Sequence, residues 1–370
     1  MKYGWVICLF LGLRCLGATE GAPPATLEIG AAAPDFRLPG IDGREYALQD
    51  FAEARILVVV FTCNHCPTAQ AYEDRIQQMA DRYRDRKVAL VAISPNDPRA
   101  VRLDELGYTD LGDSLEEMKI RAREKNFTFP YLYDGDRQSA TRAYGPTATP
   151  HVFIFDRLRK LRYVGRVDNN ERFGKATQFD AVNALEALLA EKPVPVEQTK
   201  TFGCSVKWSD KRGAAQSARE RWAREEVTLE KTDTESLRTL LRNDSPKLRL
   251  VNVWATWCGP CVVEFPELIS IFRMYRGREF ELVTVSVDLP EKSEAVLAFL
   301  KKQQSSARNL LFGSDDKYRL IEAIDAQWSG ALPYTLLVAP GGKVLFRQSG
   351  ELDPLALKRA IVGQLGRYYP

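Results

Sequence analysis

The sequence predicts an α/β protein made of two similar domains, each a central mixed sheet flanked by helices. Three observations carry that expectation. Cys258-Gly259-Pro260-Cys261 follows the apolar run Leu248–Trp254, and Cys63-Asn64-His65-Cys66 follows Ile56–Phe61, so strand, Cys-x-x-Cys and helix occur twice in that order. The segments around them read β-α-β-α-β-β-α in both halves. A chain of 370 residues has room for two domains of about 140 to 170 residues.

Taken in order, residues 1–22 read as a signal peptide or N-terminal anchor. Lys2 precedes the apolar run Gly4–Leu13, which is too short to span a bilayer, and cleavage could follow Ala18. The expected location is extracytoplasmic and periplasmic, with a membrane touched only through an uncleaved N-terminus. Domain one is expected over 27–192. Its elements are a strand Ile56–Phe61, a helix from Cys63 to Tyr83, a buried strand Val88–Ile93, a polar insertion Ser94–Asp113 and a helix Ser114–Lys125. Strands Val152–Phe155 and Leu161–Val167 and a helix Ala176–Glu191 complete it. Residues 193–228 read as a linker opened by Pro193 and Pro195, with a solvated charged helix at Ser217–Glu226. Domain two, 229–370, is expected to contain helix Thr234–Arg242, strand Leu248–Trp254, helix Cys258–Tyr275, strand Glu281–Val287 and helix Ser293–Gln303. A hairpin of Tyr334–Val338 and Lys343–Gln348 turns at Pro340-Gly341-Gly342, and helix Pro354–Leu365 closes the chain.

Lys and Arg exceed Asp and Glu by only 3, and the basic residues are interspersed with acidic ones, which excludes a nucleic-acid surface. Without the leader, which carries Cys8 and Cys15, the cysteines are Cys63, Cys66, Cys204, Cys258 and Cys261. Four of these five sit in close pairs, the distribution of exchange chemistry and not of a disulfide framework. A cysteine in the first turn of a helix faces unpaired N–H groups and the positive end of the dipole, so its thiolate is favoured. Cys63 and Cys258 are expected there as attacking sulfurs, with Cys66 and Cys261 resolving the mixed disulfide. Zinc would need two further ligands, and the second half has no histidine.

Trp257-Cys258-Gly259-Pro260-Cys261, with Glu264 and Pro266 after it and Val251–Thr256 before it, resembles the thioredoxin superfamily and, within it, the TlpA-like thiol–disulfide oxidoreductases. The resemblance implies a thioredoxin fold and a cis-proline facing the dithiol, matched by Pro333. Asn252 stands where thioredoxin carries a buried acid, and Glu264 could take over proton transfer from Cys261. The first half resembles the peroxiredoxin and TlpA-type redoxin branch through Gly30–Leu38, Phe61–Pro67 and Thr149-Pro150, which makes Pro150 the corresponding cis-proline. A peroxiredoxin carries proline seven and threonine three positions before its reactive cysteine. Cys63 has Ile56 and Val60 there and Cys66 has Val59 and Cys63, so peroxidase activity is not expected.

His65 and His151, the chain's two histidines, both fall at the first site. A protonated His65 would stabilise the Cys63 thiolate and make this pair the stronger oxidant. An alternative use of Cys63, Cys66, His65 and His151 is to hold Cu(I), the second half keeping such a metallochaperone reduced. Cys204, in Phe202–Trp208 just outside the first fold, is a possible third thiol or a buried inert one. The expected function is exchange with protein thiols and disulfides, served by an electron donor or acceptor and by no cofactor beyond the redox-active disulfides. A flexible 193–228 segment would also let the two sites exchange electrons directly.

Overall fold

The computed structural model describes residues 23–369; the leader, with Cys8 and Cys15, lies outside them. Among the described residues no helix is long and apolar enough to cross a membrane. The first half begins with a short hairpin of β1 (Arg37–Pro39) and β2 (Glu45–Ala47), followed by β3 (Ile56–Phe61), α1 (Pro67–Tyr83), β4 (Val88–Ser94) and α2 (Leu115–Glu124). Then come β5 (Tyr131–Tyr133), α3 (Ser139–Tyr144), β6 (Ala148–Thr149), β7 (His151–Phe155), β8 (Leu161–Gly165) and α4 (Asp180–Leu189). The main sheet has the order β5-β4-β3-β7-β8, with β3, β4 and β5 parallel and β7 and β8 antiparallel.

Its middle strand explains the layers. Ile56–Phe61 is buried throughout, and its alternate residues face opposite sides. Ile56, Val58 and Val60 pack with Tyr72, Ile76 and Met79 of α1 and Leu185 of α4. Leu57, Val59 and Phe61 pack on the other side with Phe36, Phe51, Tyr144 and Phe153.

Residues 193–228 carry β9 (Cys204–Ser205) and α5 (Arg212–Ala223). This is not the solvated tether expected from composition. Trp208, Ala215 and Ala218 are buried, β9 pairs antiparallel with β6, and the Lys207 N–H and C=O bond to Asn96 Oδ1 at 2.8 Å and Asp97 N at 2.9 Å. The charged pattern concealed a narrow alanine stripe.

The second half runs β10 (Glu230–Thr232), α6 (Thr234–Arg242), β11 (Leu248–Trp254), α7 (Gly259–Tyr275), β12 (Phe280–Ser286), α8 (Ser293–Lys302) and β13 (Arg308–Phe312). It closes with α9 (Lys317–Ile324), β14 (Tyr334–Val338), β15 (Val344–Ser349) and α10 (Pro354–Leu365). Its sheet order, β10-β13-β12-β11-β14-β15, repeats the first sheet with one extra parallel strand at the edge. Both halves are α/β and thioredoxin-like, as the resemblance implies. Leu337, fully buried beneath α7 and α10, tests this core: Leu337→Ala should lower the unfolding free energy of the second half by about 2 to 5 kcal/mol in urea titration.

The polar insertion after β4 joins the halves. Leu103 and Leu106 pack against the second core, and the Tyr275 hydroxyl at the end of α7 donates to the Thr109 carbonyl at 2.7 Å. Asp110 is held by Arg121 at 2.9 Å from its own half and by Arg367 at 2.5 Å from the other.

Candidate functional site: two dithiol centres

At the second centre Cys258 caps α7, its sulfur accepting the Cys261 N–H at 3.3 Å, and the two cysteines are disulfide-bonded. The Leu332–Pro333 bond is cis, and the antiparallel pairing of Val253 with Tyr334 sets Pro333 against the start of the loop that carries the dithiol. Glu264, one turn beyond Cys261, is buried and not a solvated cap. Its carboxylate accepts the Leu352 N–H at 3.0 Å and the Asn252 amide at 3.2 Å. Burial pushes its pKa above the ordinary carboxylate value, although both hydrogen bonds oppose the shift. Glu264 and Asn252 thus form one buried polar unit, Asn252 reaching on to Thr335 Oγ1 at 3.1 Å. Trp257 stands exposed at the rim of a 530 Å³ groove lined by Leu289, Tyr318, Trp328 and Leu332.

The first centre does not repeat this register. Helix α1 starts at Pro67, so the capping sulfur is that of Cys66 and not Cys63. The reason is local: the residue before a proline is driven out of the α region, while proline itself suits the first helical position. Sheet register confirms the shift. Phe61 pairs with His151 after cis-Pro150, as Val253 pairs with Tyr334 after cis-Pro333, and five residues beyond Phe61 and Val253 lie Cys66 and Cys258. By the same count Cys63 matches Ala255, and Ala69 matches Cys261.

The consequences for charge are large. Cys66 is fully buried, which disfavours its thiolate, but hydrogen bonds from Cys204 and Cys63, the charge of His65 and the Ala69 N–H at 3.4 Å hold its pKa well below the ordinary thiol value. In its thiol form Cys66 donates to the Thr149 carbonyl at 3.3 Å. Cys63 shifts the opposite way: burial, its bond to Cys66 and the charge of Asp113 push it well up, against a contact with Thr149 Oγ1 at 3.2 Å. The expectation that Cys63 stands at the helix start is therefore corrected: Cys66 holds that position.

His65 is corrected with it. Its Nδ1 meets Asp113 at 2.5 Å, and Asp113 also accepts the Asn64 and His65 N–H groups and an amide hydrogen of Asn96. Burial opposes the imidazolium, yet the Asp113 pairing wins and raises the His65 pKa. Neither Asp113 nor Asn96 is signalled by sequence spacing; the fold of the 94–113 insertion brings them in. His151 is buried on β7, accepts the Thr147 N–H at 3.2 Å, and is lowered by burial to about 4, so it stays neutral. Among the described residues the donor atoms within 4.8 Å of one another belong to Cys63, His65 and Asp113; Cys66 and His151 are outside that group. With the hard carboxylate already engaged by the imidazole, this set does not match the soft donors Cu(I) prefers.

The Asp113 pairing makes a pH prediction. In Asp113→Asn the buried His65 loses the partner that keeps it charged, so the Cys66 pKa should rise and the pH profile of its iodoacetamide alkylation should move to higher pH. An unchanged profile would show that His65 does not support Cys66.

Two helix-capped cysteines, each beside a cis-proline on a thioredoxin-like sheet, define a tandem dithiol protein. A family model described as "AhpC/TSA family" matches residues 29–164 and again 225–347, and the chain belongs to that family. Thiol-disulfide oxidoreductase ResA of Bacillus subtilis (strain 168) is 33% identical over 120 residues, 32% of this chain and 63% of that protein. The Thiol:disulfide interchange protein DsbE homolog of Paracoccus denitrificans (strain Pd 1222) is 33% identical over 108 residues, 29% of this chain and 53% of that protein. The chain thus spans less than two thirds of either relative's length. An uncharacterized conserved protein of known structure from Geobacillus kaustophilus is 34% identical, covering 51% of this chain and 96% of its own, with a TM-score of 0.45.

Proposed function

We propose that this chain is an exported thiol–disulfide oxidoreductase that exchanges disulfides with protein thiols at both centres. The observation that carries the reading is the capping geometry: in each half a sulfur sits at a helix start and accepts the N–H three residues on. Such a sulfur is a good nucleophile's precursor and a good leaving group, the two properties exchange requires. The names of the relatives agree with it. The Gly4–Leu13 run supports export.

At the second centre Cys258 meets the partner beside the open groove and Cys261 resolves, its proton passing through water to Glu264, the buried carboxylate one turn further along α7. At the first centre Cys66 takes the helix-capping place that Cys258 has at the second. The test is trapping in the intact chain. Cys261→Ser should accumulate mixed disulfides with disulfide-bearing protein substrates, whose other sulfur leaves as the thiol, and Cys258→Ser should accumulate none at that centre. Partners trapped on Cys261 in the Cys258→Ser variant would reverse the assignment.

A further inference from the structure

We propose that Cys204 is the partner-facing sulfur of the first centre, forming with Cys66 the disulfide that reacts with incoming thiols. This rests on the exchange reading above and names which sulfurs perform it. Strand β9 pairs antiparallel with β6, placing Cys204 opposite Thr149, the residue before cis-Pro150. That edge beside the capping sulfur is where an extended peptide could add by main-chain pairing. At the second centre, among the described residues, no strand pairs with the matching edge at Leu332. The first centre therefore holds a cysteine of its own chain where the second leaves space for a partner.

The contacts are those of a reacting pair. The Cys204 N–H donates to Cys66 Sγ at 3.3 Å, and the Cys204 side chain packs against Cys63, Cys66 and Ala69. Its closeness to Cys66, followed by burial, raises the Cys204 thiol above the ordinary value, the opposite direction from Cys66. Gly203 makes the approach possible: its φ is +132°, and a Cβ there would collide with the Thr149 carbonyl. Access also separates the three thiols. Cys63 and Cys66 are buried, whereas Cys204 is partly exposed and lines a 530 Å³ cleft with Thr68, Phe202 and Tyr369. The Tyr369 hydroxyl lies 3.7 Å from Cys204 Sγ.

The reaction balances without any further reagent. A partner thiolate attacks Cys204 Sγ, the Cys66–Cys204 bond breaks, and its electron pair stays on Cys66 as the stabilised thiolate. A second partner thiolate then attacks the partner sulfur of the mixed disulfide. The partner disulfide forms, Cys204 leaves and takes up one proton, and the other proton goes to water. Two electrons enter the centre, and the reverse sequence reduces a partner disulfide.

Glutathione disulfide added to the reduced full-length protein tests this, with acid quenching and tryptic mapping. Cys63 and Cys66 share the peptide 56–75, while Cys204 lies in 201–207, so a Cys66–Cys204 bond joins two peptides and a Cys63–Cys66 bond closes a loop within one. The expected result is the joined pair in wild type and in Cys63→Ser, and glutathione on Cys204 in Cys66→Ser. Gly203→Ala, which keeps all three thiols but displaces β9, should slow the joining at least about tenfold. A wild-type loop within 56–75 that Cys204→Ser leaves unchanged would overturn the proposal while sparing the exchange reading. Absence of Cys66 from every disulfide would remove both.

Discussion

Replacing Cys66 by serine should abolish dithiol oxidation at the first centre, whereas Cys63→Ser should leave its rate within a few-fold of wild type. The difference follows from helix register. Cys66 receives the Ala69 and Cys204 N–H groups and the field of His65, while Cys63 faces the Asp113 carboxylate. The pH profile adds a sign. A depressed pKa means that the thiolate persists as pH falls below the ordinary thiol range, until the lowered value is reached. Cys66 alkylation should therefore stay fast at pH 7 in the reduced protein, and Cys63 should react only above the ordinary range. Mass spectrometry of the 56–75 peptide resolves the two sites. Faster labelling at Cys63 would refute the register argument.

The first centre should also be the stronger oxidant. Stabilising a thiolate stabilises the reduced form, and a tenfold change in the exchange constant is about 30 mV for a two-electron couple. Cys66 accepts the Ala69 and Cys204 N–H groups and feels the charge of His65, whereas Cys258 accepts the Cys261 N–H, and the second half has no histidine. A gap of at least about 60 mV is expected, two factors of ten. Equilibrating the intact chain with glutathione buffers and mapping both centres measures it. A more oxidising second centre would show that the buried imidazolium and donors do not govern the potential.

Direct transfer between the centres is not expected in this arrangement, contrary to what a loose tether would allow. Thr109 and Asp113 tie the first centre to the insertion, and Thr109 contacts the far end of α7 from Cys258. That helix has 17 residues, so roughly 25 Å lies between its ends. The 193–228 segment is packed and not free to swing. Reducing the second centre selectively should leave the first oxidised for as long as the halves stay docked.

The sequence by itself determined the repeated α/β architecture and the location of both dithiols. Strand Leu248–Trp254 and helix Thr234–Arg242 are read from it to the residue, because buried runs and amphipathic periodicity are local properties. The start of α1 was also legible, in the Cys66-Pro67 dipeptide, but the symmetry of two Cys-x-x-Cys motifs suggested the wrong register. Only tertiary structure decided which groups surround each sulfur. Asp113 and Asn96 come from the insertion, Cys204 from a segment 138 residues beyond Cys66, and Thr149 from the opposite strand. A thiol's charge depends on every donor and charge within a few ångströms. Long-range packing places those groups, and no local pattern records it.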